Sequence, residues 1–174
     1  MLLQGWRERR SGRPWLVKLA IANLPVWTTA QRGGLLSRFG IISAGAMPLI
    51  HPEFFLGAGG RLELGDRVFI NRGFYCGAAA AVTIGANTRI ADHVRFLVGT
   101  HEIGDHASRA GADVGRPITV GSGCWIGSGA TIMGGVVVGD GCVVAAGSVV
   151  THDCLADGLY AGVPACRIRE LEES

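Results

Sequence analysis

The stretch FLVGTHEIGDHASRAG, residues 96–111, contains two of the five histidines of the chain, His101 and His106. A neutral imidazole accepts a proton near pH 7 without a large pKa shift, so a histidine in a loop is a candidate general base. His101 is the stronger candidate because a regular sequence pattern ends there and a polar loop begins, and loops on rigid scaffolds often carry function. Glu102 and Asp105 are the nearby carboxylates that could orient its ring.

The pattern that ends near His101 has a period of six residues. An aliphatic column recurs every six positions, and a second column contains small or medium-sized residues. The first column is Val120, Ile126, Ile132, Val138, Val144 and Val150, and the second is Cys124, Ala130, Val136, Cys142, Ser148 and Cys154. A period of six with β-branched residues and flanking glycines favours short strands separated by turns.

Three such sixes form one turn of a three-sided solenoid, in which each strand pairs with the strand 18 positions later. We therefore predict an all-β parallel β-helix with the aliphatic column pointing inward and Cys124 stacked on Cys142. The stretch CGAAAAVT, residues 76–83, predicts one eight-residue side, because the repeat changes register across it. The upstream aliphatic positions are Leu64, Ile70 and Cys76, then Ile84, Ile90 and Phe96.

We expect one domain with three segments. Residues 1–40 lack the period and predict a helical capping segment, broken at Pro25 and at Gly33-Gly34. Residues 41–157 form the β-helix, with an excursion at 101–114. Residues 158–174 predict a C-terminal turn followed by a short charged helix that caps the other end.

The composition favours a cytoplasmic protein, since five cysteines without CxxC spacing indicate reduced thiols. No apolar run reaches the roughly 18 residues of a membrane span. Residues 1–40 carry seven Lys or Arg against one acidic residue. This start is either a solvated terminus or a peripheral membrane contact; the residues concerned are Trp6, Arg7, Arg9, Arg10, Arg13 and Trp15.

The stretch GRPITVGSGCWIGSGATIMGGVVVGDGCVVAAGSVVTHD, residues 115–153, is followed by AGVPACRIREL, residues 161–171. Together they resemble the hexapeptide-repeat acetyltransferases, in particular the galactoside and maltose O-acetyltransferase branch. The resemblance covers about residues 60–170. It implies a left-handed parallel β-helix, an exception to right-handed crossovers. It also implies a homotrimer with active sites between subunits, acetyl-CoA as co-substrate and no metal.

The same resemblance implies residue roles. His101 aligns with the general base that deprotonates an acceptor hydroxyl, so that the oxygen attacks the thioester directly. The backbone N–H of Ser128 faces the developing oxyanion. Trp125 flanks the pantetheine arm, and Asn71 contacts the acceptor sugar. Contacts to CoA, with cations near its phosphates, fall to Ala146, Thr151, His152, Arg167 and Arg169.

Three positions depart from the family pattern. His152 replaces a lysine after SVVT, and Cys166 stands where another cation is usual. Ala79 replaces an aspartate that binds sugar hydroxyls in galactoside-type relatives, which makes simple galactosides and maltose poor candidate acceptors.

The predicted function is therefore transfer of an acetyl group from acetyl-CoA to a hydroxyl of a sugar, glycan or small natural product. N-acetylation of an amino sugar is the alternative within acyltransferases. A zinc enzyme resembling γ-class carbonic anhydrases, using His93, His101 and His106, is a second alternative. A non-catalytic solenoid scaffold or binding module is a third.

Overall fold

The computed structural model describes residues 14–172. Two helices come first, α1 at residues 14–22 and α2 at Thr29–Arg38. Most of the remaining chain forms a three-sided solenoid, in which each coil contributes one short strand to each of three sheets. Among residues 14–172, no helix has the length and apolar character needed to cross a bilayer.

The strands are short because each spans one side of the solenoid. They are β1 (Ser43–Ala44), β2 (Leu49–Ile50), β3 (Phe55–Leu56), β4 (Arg61–Leu64), β5 (Phe69–Ile70), β6 (Tyr75–Cys76), β7 (Ala81–Ile84), β8 (Arg89–Ile90), β9 (Arg95–Leu97), β10 (Gly99–Ile103), β11 (Ala110–Gly115), β12 (Ile118–Val120), β13 (Trp125–Ile126), β14 (Thr131–Met133), β15 (Val137–Val138), β16 (Val143–Val144), β17 (Val149–Val150), β18 (Gly158–Gly162) and β19 (Ala165–Glu170).

The strands assemble into three sheets and one separate hairpin. Sheet A has the order β1-β4-β7-β12-β15, sheet B the order β2-β5-β8-β13-β16-β18-β19, and sheet C the order β3-β6-β9-β14-β17. The predicted register is confirmed, since Val120 pairs with Val138 and Ile132 with Val150. The chain passes from sheet A to B, then to C and back to A. These passages are called the A–B, B–C and C–A corners.

The inward-facing columns form the core, as predicted. The aliphatic column from Val120 to Val150 is at most 1% exposed, and the small column from Cys124 to Cys154 at most 3%. The predicted eight-residue side after Cys76 is also present, since Leu64 pairs with Ile84, 20 positions later. A second eight-residue side, which was not predicted, separates Leu56 from Leu64.

The two helices cover the first coil. The chain is non-helical around Pro25, as predicted, but the predicted break at Gly33-Gly34 is wrong because α2 runs through both glycines. Gly33 lies against the carbonyl group of Pro48, where a Cβ atom would clash. Gly33 therefore permits close packing of α2 against the first coil of the solenoid and does not end the helix.

A buried arginine holds the helical cap on the solenoid. The side chain of Arg32 is 1% exposed, and its guanidinium donates hydrogen bonds to the carbonyl oxygens of Ala22, Leu24, Trp27 and Ile50, at 3.0–3.1 Å. The first three carbonyls belong to α1 and the following turn, and the fourth ends β2. These four hydrogen bonds compensate the guanidinium for its loss of hydration. They also join the two helices to the first coil.

The basic start considered for membrane contact lies almost entirely outside the described residues. Trp15 is its one described member. Its indole N–H donates to the carbonyl oxygen of Leu56 at 3.4 Å, and its ring packs partly buried against the core. Trp15 therefore contributes to the cap in this structure.

The predicted C-terminal helix is wrong. Residues 158–170 form an antiparallel hairpin of β18 and β19, which extends sheet B beyond β16. Tyr160, 6% exposed, pairs with Val144 and continues the buried column. The open edge of a parallel sheet offers unpaired backbone groups to any segment that follows it, and β18 and β19 use them. The stabilisation from pairing with the sheet edge depends on tertiary contacts, so the helix propensity of residues 158–170 does not predict it.

The cysteines show a graded exposure. Cys76, Cys124, Cys142 and Cys154 are buried free thiols, and Cys166 on β19 is exposed. Cys124 lies directly over Cys142, as predicted, because β13 pairs in register with β16. Burial raises the pKa of Cys124 to about 11. The buried thiols therefore stay protonated at neutral pH and act as small core residues.

We expect one thiol, that of Cys166, to react with iodoacetamide in the native protein at pH 7.5. All five should react in guanidinium chloride, because unfolding exposes the other four. Mass spectrometry of the alkylated peptides measures this. Equal labelling of Cys124 and Cys166 in the native state would contradict the assigned burial.

Candidate functional site

The predicted excursion is an ordered hairpin. β10 and β11 leave the solenoid at the C–A corner and pair antiparallel, with Gly99 opposite Gly115 and His101 opposite Asp113. Gly115 lies against the carbonyl group of Ala79, where a side chain would clash. The close approach of these backbones fixes the base of the hairpin on the second coil. His101 is therefore presented on a short strand.

The ring of His101 is held through one nitrogen. Its Nδ1 atom lies 3.2 Å from the carbonyl oxygen of Gly111 and 3.2 Å from Oδ1 of Asp113. Because both neighbours accept hydrogen bonds, the Nδ1 atom of a neutral ring carries the proton. The lone pair is then on Nε2. The half-exposed side chain can accept a proton from a ligand through that atom.

The carboxylates predicted to orient the ring are engaged elsewhere. Glu102 lies 3.9 Å from the guanidinium of Arg116. Asp105 accepts hydrogen bonds from the backbone N–H groups of Ala107 and Ser108. Sequence reasoning missed Asp113, which is 12 positions from His101 and becomes its neighbour only through hairpin pairing.

A cavity of about 440 Å³ opens beside His101. Its other lining residues are Ala79, Gly99, Thr100, Asp113, Val114 and Gly115. All of them belong to the hairpin or to the C–A corner beneath it. This first cavity thus combines an oriented imidazole with small side chains and backbone.

A second cavity, here called the groove, runs along the B–C corner. It measures about 360 Å³ and brings together three residues assigned to the donor by resemblance, namely Trp125, Ser128 and Ala146. Its remaining lining residues are Ala91, Gly127, Val143, Val144, Ala145 and Leu159. Trp125 is 58% exposed on the outer face of sheet B. Small residues along the corner leave room for an extended ligand beside this ring.

The B–C corner leaves backbone donors unpaired in the groove. At the A–B corner, Oδ1 of Asp140 accepts a hydrogen bond from the N–H of Ser122, one coil earlier, at 2.6 Å. The corresponding pair at the B–C corner is Ala146 and Ser128. Alanine has no acceptor, and no other group among residues 14–172 bonds to the N–H of Ser128. That N–H is available to a ligand in the groove.

Asn71 lies on the same corner, nearer the first coil. Its backbone N–H donates to the carbonyl of Ile90, and the N–H of Ala91 donates to that of Ile126, so Asn71, Ala91 and Gly127 follow one another along the corner. Oδ1 of Asn71 accepts a hydrogen bond from the N–H of Arg72 at 2.9 Å. Asn71 therefore lies beyond the Ala91 end of the groove.

The remaining predicted donor contacts lie near the last coil. Thr151 and His152 follow β17 at the C–A corner, and Oγ1 of Thr151 lies 2.9 Å from Nδ1 of His152. Arg167 donates to the carbonyls of Ala156 and Asp157 and lies 3.6 Å from Glu170. Its guanidinium closes the last turn of the chain.

Arg169 has a different setting from Arg167. It pairs in register with Leu159, a groove residue, and is exposed. Among residues 14–172 no ion pair involves its side chain. Of the two predicted arginines, Arg169 is the one with its charge available to a ligand of the groove.

The predicted site residues thus form two separate groups in one chain. Trp125, Ser128 and Ala146 line the groove at the B–C corner, with Asn71 beyond its end, whereas His101, Thr151 and His152 lie at the C–A corner. The two cavities share no lining residue. One copy of the chain does not bring His101 to Ser128.

The histidines proposed for zinc are also separated. His93 lies at the B–C corner, His101 on β10 and His106 in the hairpin turn. Within residues 14–172 no group of three or more His, Cys, Asp or Glu side chains could hold a metal ion. The carbonic-anhydrase alternative therefore lacks the converging ligands that it requires.

The chain is similar in sequence to a family of bacterial transferases and to several individual proteins. The family described as bacterial transferase hexapeptide (six repeats) matches residues 117–152. A putative acetyltransferase of Dictyostelium discoideum is 34% identical over 129 residues, covering 74% of this chain and 68% of that protein. Nodulation protein L of Rhizobium leguminosarum bv. viciae is 40% identical over 93 residues, covering 53% of this chain. The match spans about half the length of that relative, 48%.

Solved structures of acetyltransferases share the whole fold. A hexapeptide-repeat acetyltransferase of Vibrio cholerae, complexed with acetyl coenzyme A, has a TM-score of 0.82 at 28% identity and covers 95% of this chain and 87% of that one. A galactoside acetyltransferase in complex with coenzyme A has a TM-score of 0.81 at 26% identity, covering 94% and 82%. These relatives and the coil register identify the chain as a member of the hexapeptide-repeat acetyltransferase family, with that family's left-handed parallel β-helix.

Proposed function

We propose that this protein transfers an acetyl group from acetyl-CoA to a hydroxyl of a sugar, glycan or small natural product, with His101 as the general base. The observation that carries the proposal is the anchoring of the His101 ring through Nδ1 by Gly111 and Asp113. This arrangement leaves Nε2 as the proton-accepting atom of a histidine that lines an open cavity, as a general base for a neutral hydroxyl requires.

The reaction follows from this orientation. Nε2 of His101 takes the proton of the acceptor hydroxyl as its oxygen bonds to the thioester carbonyl carbon. The negative charge that develops on the carbonyl oxygen is stabilised by the unpaired N–H of Ser128. When the C–S bond breaks, the imidazolium returns its proton to the departing sulfur. The products are the acetyl ester and CoA with a free thiol, and the histidine is neutral again.

The groove fits the donor. The pantetheine arm of CoA is thin, extended and rich in amides, so it needs a narrow channel with backbone hydrogen-bonding groups. Ala146 and Gly127 provide the channel, and Trp125 forms one wall. The related Vibrio cholerae and galactoside acetyltransferase structures contain acetyl-CoA and CoA. Thr151, His152 and Arg169 are assigned to the distal, phosphate-bearing part, and Arg167 to a supporting role because its donors are occupied.

The separation of the two cavities favours an active site formed between two copies of the chain. If the C–A corner of one copy packs against the B–C corner of the next, His101 of the first faces Ser128 of the second. Each copy offers one corner of each kind, so the contact is heterologous, and it closes as a ring when the copies are related by rotation about one common axis. If three copies surround an axis parallel to the solenoid axis, equivalent coils lie at the same height along that axis. We therefore propose a homotrimer with each active site between two subunits.

The proposal is tested by incubating the protein with acetyl-CoA and a panel of saccharides, amino sugars and small alcohols, with mass spectrometry of the products. We expect CoA release with formation of an acetyl ester, which hydroxylamine cleaves. If acetyl amides are the sole products, the protein is an N-acetyltransferase and the proposed O-acetylation is wrong. Absence of acetyl-CoA binding in calorimetry would contradict the proposed donor and the function with it.

A further inference from the structure

We propose that Asp92, together with Asn71, binds adjacent hydroxyl groups of a saccharide acceptor. This inference rests on the function proposed above and assigns the acceptor half of the same site. In this arrangement the B–C corner is divided at Ala91, with the acceptor on the side of the first coils and the donor on the side of the last.

The backbone hydrogen bonds of the corner place Asp92 beside the reacting centre. The carbonyl of Asp92 accepts a hydrogen bond from Gly129 at 2.8 Å, and the carbonyl of Arg72 accepts one from His93 at 2.8 Å. Asp92 therefore occupies the same turn position as Arg72 in the coil before it and Ser128 in the coil after it. Neighbouring coils are about 4.8 Å apart. Asp92 is one coil from the proposed oxyanion donor.

Aspartates at this turn position normally have a structural partner in this chain. At the A–B corner, Asp66 accepts a hydrogen bond from the N–H of Ala46 at 2.7 Å, and Asp140 accepts one from the N–H of Ser122. In both cases the donor occupies the same turn position one coil earlier. Each bond joins two consecutive coils.

Asp92 lacks this partner because Asn71 takes it. The equivalent donor, the N–H of Arg72, bonds to Oδ1 of Asn71 at 2.9 Å. The guanidinium of Arg72 pairs with Glu53 at 3.3 Å. Asp92 is partly buried as a residue, and within residues 14–172 no hydrogen bond or ion pair reaches its carboxylate. A carboxylate that contributes no link between coils is available to a ligand.

The two halves of the corner differ in composition. On the donor side the turn residues include Gly127, Ser128, Ala145, Ala146 and Gly147. On the other side they include five polar or charged residues, namely His51, Glu53, Asn71, Arg72 and Asp92. A chain of small residues accommodates an extended arm, whereas polar side chains recognise a polar acceptor.

The free groups match a pair of hydroxyls. The Asp92 carboxylate accepts hydrogen bonds from O–H groups. Since Oδ1 of Asn71 is occupied, its Nδ2 group remains as a donor to a hydroxyl oxygen. Adjacent hydroxyls on a sugar ring satisfy both. Ala79, which lines the facing first cavity, has only a methyl side chain and cannot perform this role, so Asp92 provides a carboxylate from the opposite side of the proposed interface.

The test compares Asp92→Ala with wild type, using methyl glycosides of glucose, galactose and mannose, their monodeoxy analogues and 2-amino glycosides. We expect Asp92→Ala to lower kcat/KM for the best glycoside by roughly 10- to 100-fold, with an unchanged KM for acetyl-CoA and an unchanged melting temperature. Removal of the one hydroxyl that Asp92 binds should lower kcat/KM of the wild type by a similar factor. The same removal should change kcat/KM of Asp92→Ala little, as expected for interacting partners in a double-mutant cycle.

Asp66→Ala is the matched control, because it removes a carboxylate from the same turn position at the A–B corner. It should lower the melting temperature through loss of the bond to Ala46 and leave kcat/KM unchanged. Equal kcat/KM for Asp92→Ala and wild type would overturn the inference. So would turnover of 2-amino glycosides alone, or acetyl-CoA binding without turnover of any glycoside. Absence of acetyl-CoA binding would instead overturn the proposed function.

Discussion

Replacement of His101 by alanine is expected to lower kcat/KM for the acceptor by about 10²- to 10⁴-fold, the usual contribution of a general base. The ring is half exposed and bonds only within its own hairpin. Its loss should therefore leave the melting temperature and the affinity for CoA unchanged. Steady-state kinetics on the best acceptor, with calorimetry for CoA, measures all three quantities.

His106→Ala is the control, since His106 is also an exposed histidine of the hairpin and lies in its turn. It should retain wild-type kcat/KM. If His101→Ala is as active as His106→Ala, His101 is not the base. If His101→Ala loses CoA binding as well as turnover, its role is in donor binding.

Replacement of Ala146 by aspartate is expected to prevent the backbone N–H of Ser128 from donating a hydrogen bond to the reaction oxyanion, without unfolding the protein. By the geometry of Asp140 and Ser122, the new carboxylate would accept the hydrogen bond of the Ser128 N–H one coil earlier. That N–H could then no longer stabilise an oxyanion, and a negative charge would lie next to it. Loss of one such donor lowers kcat by roughly 10²- to 10³-fold.

The melting temperature of Ala146→Asp should be equal to or above that of wild type, because a coil-to-coil hydrogen bond is gained. Ala86→Asp introduces the same residue at the same turn position of the A–B corner and should retain full activity. Wild-type kcat/KM in Ala146→Asp, with a crystal structure showing the new bond to Ser128, would exclude this N–H from catalysis.

The solenoid could be predicted from the sequence because its core is a column. Val120, Val138 and their equivalents are buried by position in a repeat, so the pairing register follows from counting. The same count identified the eight-residue side after Cys76. It missed the earlier one after Leu56, since the repeat had only begun there.

The ends of the chain depend on tertiary contacts that no local pattern contains. Gly33 was predicted to end a helix, but it permits contact with Pro48. Residues 165–170 were predicted to be helical, but the free edge of sheet B pairs with them through β18. In both cases the neighbouring coil decides the conformation.

The candidate site could be predicted in part. The end of the repeat indicated His101, and the resemblance supplied Trp125, Ser128 and Ala146, which share one groove. Asp113 could not be predicted because hairpin pairing brings it to His101. The carboxylate of Asp92 has no partner because Asn71 accepts the hydrogen bond of the Arg72 N–H, a contact that the sequence does not reveal.

In the proposed trimer, each active site combines His101 of one copy with the groove of another. To test this arrangement, His101→Ala and Ala146→Asp subunits with different affinity tags are co-expressed and the mixed trimers are purified through both tags. Each variant alone is expected to be inactive. Every mixed trimer, with two copies of either variant, has one interface of its three that joins an intact His101 to an intact groove, so we predict recovery of about one third of wild-type kcat. Mixed trimers without activity above the two parent variants would contradict this arrangement.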